Sequence, residues 1–247
     1  MLLASRWRLL ESGASDGATN MATDVALMAR AATSAEAVLR VYAWSRPTVS
    51  LGIHERPGFT AGHFASDGLD VVRRPTGGRA LLHDREVTYS VTAPISGSLG
   101  DSVRSINTIL LAALATLGVN ADEATRRSRA TGPGGAACFG EPNVGEIVID
   151  GRKLIGSAQR RDQHALLQHG SILLDDDQAR LGAPPAATLN AVLGRRVSYA
   201  EVRDALWAAL TGIVGQEAVS AMPVAEISQQ VAGAREQFLD PKWTWRR

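Results

Sequence analysis

The chain has 247 residues, 45% of them hydrophobic, and a formal net charge of +1 at pH 7. This length allows one or two domains with a substantial core, and the near-neutral charge argues against nucleic acid or an anionic membrane as the main partner. Arg6 and Arg8 interrupt the apolar run that a signal peptide needs, and a lone cysteine, Cys138, excludes an intramolecular disulfide. We therefore expect a cytoplasmic protein without a nucleic-acid or membrane partner.

The first half of the chain is predicted to mix helices and strands. Asn20 is a typical helix N-cap residue, and apolar side chains at helical spacing predict a helix over residues 21–33. A second helix is predicted over residues 98–117, with Gly118 at its C-terminal end. Alternating or short apolar runs predict strands at residues 37–45, 69–74 and 87–93.

The second half begins with a polar, glycine-rich loop and continues with a hairpin. Asp150-Gly151, a pair favoured in two-residue type I′ turns, separates EIVI from RKLI. A third strand of this group is predicted at residues 164–174, a helix from the capping box SYAE to about residue 213, and another helix over residues 224–239. The chain shows no repeat and no linker, so we expect one domain over residues 1–247. Its class is α+β, with a mixed, mostly antiparallel sheet packed with helices.

The basic residues are unevenly distributed between lysine and arginine. Only Lys153 and Lys242 are lysines, among 26 basic residues. Lysine supplies a titratable point charge on a flexible stem, and a nucleophilic cysteine needs a nearby cation to lower the pKa of its thiol. Lys153 follows the predicted hairpin turn, fifteen residues after Cys138, so a loop folded over the hairpin would bring the two together. The alternative is that Cys138 is a small buried packing residue.

The stretch RRPTGGRALLHD places Gly77-Gly78 between two arginines and a histidine. Backbone N–H groups in such a turn can form an anion-binding concavity, to which the flanking arginines would add charge. Glycine also lets an elongated ligand approach the backbone. A plain turn with solvated arginines fits this stretch equally well. His83 and His169 are candidate walls of a site, although hydrogen-bonded structural roles are equally open.

Several other classes of site lack support in the sequence. The diglycine stretch is neither a Walker loop nor GxGxxG, so dinucleotide binding is not indicated. No pair among the five histidines has zinc-site spacing, and we expect no metal. Ser157 is not in a GxSxG elbow, which argues against a serine hydrolase.

Taken together and in order, RRPTGGRALLHD, CF, GRKLIGSAQRR and LQHGSILL resemble the lipoate–protein ligase and octanoyltransferase superfamily. NMATD and RPTVSLG resemble its N-terminal signatures, and the final WTWRR resembles its tryptophan-bearing tail, so the resemblance covers residues 20–247. It implies the fold of a lipoate/biotin protein ligase catalytic domain.

Cys138, its spacing to Lys153, and Arg79 in place of a third glycine resemble the cysteine-dependent octanoyltransferase branch. That branch implies transfer of octanoyl from octanoyl-acyl carrier protein to a lysine of a lipoyl domain, in glycine cleavage H protein or a 2-oxoacid dehydrogenase E2 subunit. Cys138 would carry the acyl thioester, Lys153 would stabilise the thiolate, and no cofactor would be needed. HER at 54–56 and GEPNVGE after Cys138 depart from the family pattern.

The resemblance also implies a set of substrate-binding residues. The backbone N–H groups of Gly156, Ser157 and Ala158 would be oxyanion donors, and Val72, Leu82 and Val148 would line an apolar slot. The full set is Arg74, Thr76, Gly77, Gly78, His83, Gly156, Ser157, Ala158, His169 and Gly170. Three alternatives stay open: an ATP-dependent lipoate–protein ligase, octanoyl transfer between lipoyl domains, and a non-catalytic acyl- or carrier-binding protein.

Overall fold

The computed structural model describes residues 3–56, 68–125, 142–175 and 178–246. The strands are β1 (Arg6–Ser15), β2 (Glu36–Trp44), β3 (Thr48–Leu51), β4 (Asp70–Arg73), β5 (Leu81–His83), β6 (Glu86–Pro94), β7 (Asp122–Glu123), β8 (Ile147–Ile149), β9 (Arg152–Arg161), β10 (Ala165–Leu173) and β11 (Val219–Ala221). The α-helices are α1 (Gly17–Ala31), α2 (Leu99–Thr116), α3 (Leu189–Leu193), α4 (Tyr199–Val214), α5 (Ser228–Leu239) and α6 (Pro241–Thr244).

Two sheets organise these elements. The large sheet has the order β11-β1-β2-β6-β10-β9-β8-β7, and the small one has the order β4-β3-β5. In the large sheet β1 pairs in parallel with β2 and β11, and the other five pairs are antiparallel. Parallel neighbours need a crossover, which α1 supplies between β1 and β2. The predicted α+β class with a mixed, mostly antiparallel sheet is confirmed.

Helices cover one face of the large sheet with the main hydrophobic core. Side chains point alternately to the two faces of a strand, so only every second residue of β2 and β6 reaches this core. Helices α2 and α4 supply the opposing layer. Buried members of the cluster include Leu39, Val41, Val87, Val91, Ile106, Leu110, Leu206 and Leu210.

The opposite face carries α1 and a more polar set of strand residues. Val38 packs with Leu27 of α1, whereas Arg40, two residues further along β2, forms a buried ion pair with Asp24. Helix α5 packs on α1, where Phe238 lies in one cluster with Met21. The face towards α1 is therefore where the fold brings charged and titratable groups together.

Helices α2 and α4 begin at capping boxes, of which the one at Ser198 was predicted from SYAE. Ser98 and Asp101 cap α2, and Ser198 and Glu201 cap α4, each pair exchanging side-chain and backbone hydrogen bonds. Gly118 follows α2 with a positive φ of 81°. The Asp150-Gly151 turn has positive φ at both positions, 50° and 73°, which is the type I′ geometry that the dipeptide predicts.

The N-terminal part was predicted less well. Helix α1 begins at Gly17 rather than residue 21, because the Asp16 side chain caps it by accepting the Thr19 N–H at 2.7 Å. Asn20 lies one turn inside the helix, and its amide donates to backbone carbonyls of Ser15 and Ala43. Strand β1 was not predicted. Across the described ranges no helix is long and apolar enough to span a bilayer.

Candidate active site

A cavity lies between the small sheet and the α1 face of the large sheet. Seven of the ten predicted substrate-binding residues border it: Arg74, His83, Gly156, Ser157, Ala158, His169 and Gly170. Met21, Tyr42, Trp44, Ser50, Leu81, Thr88 and Ser171 complete its lining. Thr76, Gly77 and Gly78 do not border the cavity, and lie in the turn that precedes β5.

His169 is fixed by a carboxylate on one ring nitrogen and a hydroxyl on the other. Its Nδ1 lies 2.8 Å from Asp24 Oδ2, and its Nε2 lies 2.6 Å from Thr76 Oγ1. Burial lowers the pKa of His169 despite the neighbouring Asp24. A neutral ring beside an ionised carboxylate donates from Nδ1, so Nε2 accepts the hydrogen of the Thr76 hydroxyl.

Asp24 is the buried charge on which this arrangement depends. Burial alone would raise the pKa of Asp24, but the Arg40 guanidinium and the hydrogen bond from His169 hold it below its usual range. Its oxygens also accept hydrogen bonds from Ser90 at 2.8 Å and Tyr42 at 3.2 Å. The carboxylate therefore links α1 to three strands of the large sheet.

His83 repeats the same pattern from the small sheet. Its Nδ1 lies 2.6 Å from Glu86 Oε1, and its Nε2 lies 2.8 Å from Ser50 Oγ. Trp44 stacks on the ring, with centroids 3.9 Å apart and planes 16° apart. The partner of His83 is thus Glu86, three residues on, and not the adjacent Asp84. Glu86 Oε1 also accepts from Thr88 and Ser171, while Oε2 has no hydrogen-bond partner among the described residues.

Arg74 holds the diglycine turn (residues 74–79) in shape. Its guanidinium donates to the Gly77 carbonyl at 2.8 and 3.1 Å, to the Arg79 carbonyl at 2.7 Å, and to the Ser50 carbonyl at 2.8 Å. Gly78 has φ of 92°, and a Cβ there would lie 2.7 Å from Arg74 Nη2. The second glycine is therefore required by the turn itself.

The loop after β3 packs directly on this turn. A Cβ on Gly52 would lie 1.9 Å from the Gly78 carbonyl oxygen, so only glycine allows the contact. The Ile53 N–H donates to the Thr76 carbonyl at 2.8 Å. Glu55 accepts the Ala80 N–H at 3.0 Å. These contacts join the loop to the turn.

Arg73 ties the same loop to the C-terminal tail (residues 243–246). Its guanidinium donates to four backbone carbonyls: Gly52 at 2.6 Å, Glu55 at 2.7 Å, Thr244 at 2.9 Å and Arg246 at 3.3 Å. Trp243 Nε1 donates in return to the Arg73 carbonyl at 2.9 Å. The arginine pair was predicted to add charge for an anion, whereas in the structure both guanidinium groups bind backbone carbonyls.

Gly170 of β10 allows three strands to meet tightly beside the cavity. A Cβ at this position would lie 2.5 Å from the Gly156 carbonyl and 2.8 Å from both Ser157 Oγ and Tyr89 Cε1. Tyr89 and Ser157 hydroxyls are 2.8 Å apart, and burial raises the pKa of Tyr89 to about 12. The hydroxyl of Tyr89 is therefore a neutral hydrogen-bonding group.

The strand geometry limits the predicted oxyanion donors. Gly156, Ser157 and Ala158 lie consecutively in β9, which pairs with β10 along one edge. Successive N–H groups of a strand point to opposite edges, so these three cannot all donate to one oxyanion. On the other edge, the pairing with β8 extends to Ile155 within the described residues.

Lys153 lies on β9, with its side chain 1% exposed, and forms an ion pair with Glu146 at 2.8 Å. Burial raises the pKa of Glu146, and Lys153 opposes that rise. Cys138 lies outside the described residues, so its predicted proximity to Lys153 stays a prediction. Val72 and Leu82, predicted to line the slot, instead pack in separate clusters, and Val148 does not border the cavity.

Four buried groups of this region were not predicted from the sequence: Asp24, Ser50, Glu86 and Glu146. Asn20 and Asp24 are one helical turn apart, and that polar pair on an otherwise apolar face is the signal that would have indicated Asp24. Glu86 precedes an alternating strand and carries no such signal.

The geometry defines a class of protein: an α+β domain with a largely apolar cavity bordered by two histidines of fixed orientation. The family model of the lipoyl protein ligase A/B catalytic domain matches residues 16–211. Octanoyltransferase LipM of Kyrpidia tusciae is 37% identical, over 98% of this chain and 99% of its own length. The chain therefore belongs to the lipoyl protein ligase A/B catalytic domain family.

Solved structures agree with the fold. Protein Ta0514 of T. acidophilum with bound lipoic acid matches with a TM-score of 0.79 and 19% identity, over 98% of this chain and 99% of that one. A bipartite lipoate protein ligase, described with its E2 lipoyl domain from Thermoplasma acidophilum, matches with a TM-score of 0.77 and 19% identity, over 97% and 96%. At this identity the likeness defines the fold of a lipoate–protein ligase catalytic domain.

Proposed function

We propose that the protein transfers an octanoyl group to a lysine of a lipoyl domain in lipoate biosynthesis, with octanoyl-acyl carrier protein as donor. The near full-length similarity to an octanoyltransferase supports octanoyl transfer. The geometric observation that carries the proposal is the cavity, which brings seven predicted substrate-binding residues to one largely apolar enclosure. Burial of an acyl chain contributes about 0.8 kcal/mol per CH₂, so apolar surface in the cavity favours binding of the octanoyl group.

In the first half-reaction, the Cys138 thiolate attacks the thioester carbonyl of the donor. The bond to the carrier sulfur breaks, the carrier leaves as a thiolate that takes up the proton Cys138 had released, and an octanoyl-S-enzyme forms. Lys153 is the cation that favours the thiolate and stabilises negative charge on the carbonyl oxygen.

In the second half-reaction, a lysine amine of the lipoyl domain attacks the enzyme thioester. An amide bond forms, the amine loses a proton, and the Cys138 thiol is regenerated. Lipoyl domains of glycine cleavage H protein or 2-oxoacid dehydrogenase E2 subunits are the proposed acceptors. His83 and His169 form part of the cavity wall, and their carboxylate partners keep each ring in a single orientation.

Intact-protein mass spectrometry tests this scheme. Wild type mixed with octanoyl-acyl carrier protein, without ATP, should gain one octanoyl group, and Cys138→Ala should gain none. Addition of a lipoyl domain should discharge the adduct and acylate the domain. Acylation of the domain only with free octanoate and ATP would instead establish a ligase and would leave Cys138 without a catalytic role.

A further inference from the structure

Glu146 forms an ion pair with Lys153, the lysine that is proposed to stabilise the Cys138 thiolate. Its Oε2 accepts from Lys153 Nζ at 2.8 Å and from the backbone N–H of Asn143 at 2.6 Å. The side chains are 10% and 1% exposed for Glu146 and Lys153. A carboxylate at this distance offsets much of the field of the ammonium, because little water screens the pair.

The backbone around Glu146 is held on three sides. Its carbonyl accepts the Ala124 N–H at 2.8 Å, and its own N–H donates to the Asn143 carbonyl at 3.0 Å. The Asn107 amide of α2 donates to the Gly145 carbonyl at 2.7 Å. The position of the carboxylate is therefore set by β7 and α2 as well as by Lys153.

We propose that Glu146 is a positioning residue: it fixes the Lys153 ammonium and offsets part of its charge, so that the Glu146–Lys153 pair, and not Lys153 alone, sets the reactivity of Cys138. This inference rests on the proposed function, since it takes Lys153 to act on Cys138. A strongly stabilised thiolate is abundant but a weaker nucleophile, and the best attacking thiol has a pKa near the working pH. A partly neutralised lysine meets that requirement.

Among the residues that the structure describes, the other charged groups near the pair are more exposed. Strand β7 brings Asp122 and Glu123, and the β8–β9 turn brings Asp150 and Arg152, whereas α2 contributes the uncharged Asn107. Burial raises the pKa of Glu146, but the shift has to compete with the adjacent ammonium.

The test is the pH dependence of Cys138 alkylation by iodoacetamide, followed by intact-protein mass spectrometry. The chain has one cysteine, so each adduct reports on that thiol. Glu146→Gln should lower the pH of half-maximal rate by about one unit, because the Lys153 ammonium then acts on the thiol without an opposing negative charge. Glu146→Asp keeps the charge and should stay close to wild type, and Lys153→Gln should raise the midpoint.

The outcomes separate this inference from the proposed function. An unchanged midpoint in Lys153→Gln would show that Lys153 does not act on Cys138. The role of Lys153 in the proposed function would then be wrong, and the role of Glu146 with it. A raised midpoint in Lys153→Gln with no change in Glu146→Gln would overturn only the role of Glu146. If Glu146→Gln does not fold, the double variant Glu146→Gln/Lys153→Gln should titrate below Lys153→Gln, and equal midpoints would overturn the inference.

Discussion

Gly170→Ala should destabilise the protein, because its new methyl group has no space between the three strands. The ideal Cβ position lies 2.5 Å from the Gly156 carbonyl oxygen, a backbone atom that β9 and β10 hold in register. Overpacking of this kind costs about 1–3 kcal/mol. In a chain of this size each kcal/mol lowers Tm by about 2–4 °C, so we expect a loss of several degrees in thermal unfolding followed by circular dichroism.

Gly77→Ala is the matched control. A Cβ at Gly77 has no atom within 4 Å, so the same substitution there should change Tm by about a degree or less. Octanoyl-enzyme formation in Gly170→Ala, measured below its Tm, should also fall, because Gly170 borders the cavity. A Tm for Gly170→Ala equal to that of Gly77→Ala would refute the steric reasoning.

Three further predictions concern buried charge, the tail and the lysine. Asp24→Asn should lose about 3–5 kcal/mol at neutral pH by urea denaturation, because it leaves the guanidinium of its ion pair uncompensated. The pKa of Asp24 is lowered in the folded chain, so ionised Asp24 contributes its full stability above about pH 4. This stability is lost as the pH falls through the pKa of Asp24 in the folded chain, and the difference in unfolding free energy between wild type and Asp24→Asn should shrink over that range. A difference that stays constant with pH would contradict this. Trp243→Phe removes the hydrogen bond to Arg73 and should cost about 0.5–1.5 kcal/mol in the same assay, whereas the more exposed Trp245→Phe should cost less. Lys153→Arg should slow octanoyl-enzyme formation at least about tenfold, because the wide planar guanidinium cannot replace the ammonium in a buried pair; wild-type rates would remove the specific role of the amine.

Local sequence signals predicted the elements whose structure is determined locally. The capping box at Ser198 and the Asp150-Gly151 turn needed only residues close in sequence, and both are confirmed. Strand β1 has no such signal, since it is ordered by parallel pairing with β2 and β11, which are separated from it by a helix or by most of the chain. Asn20 is a good cap in isolation, but Asp16 takes that role and Asn20 binds carbonyls of two strands.

The candidate site shows the same difference between features set by nearby residues and features set by long-range contacts. The motifs identified half of the residues that border the cavity, including His83 and His169. They did not indicate what holds those residues, because Asp24 and Glu86 reach the histidines across the fold or across a turn. The roles of the arginines were inferred from charge alone. Only the folded chain shows which backbone carbonyls near Arg73 need a donor.

The contact between Arg73 and the C-terminal tail also dictates when the site can be completed during synthesis. Two of the four carbonyls that Arg73 binds belong to residues 244 and 246, more than 170 positions further along the chain. Until residues 244 and 246 have been synthesised, Arg73 lacks two of its four acceptors and the loop at Gly52 is held only in part. Strand β1 likewise has no parallel partner on its outer edge until β11 at residues 219–221 has been made. These long-range contacts therefore form late relative to the locally determined helices and turns.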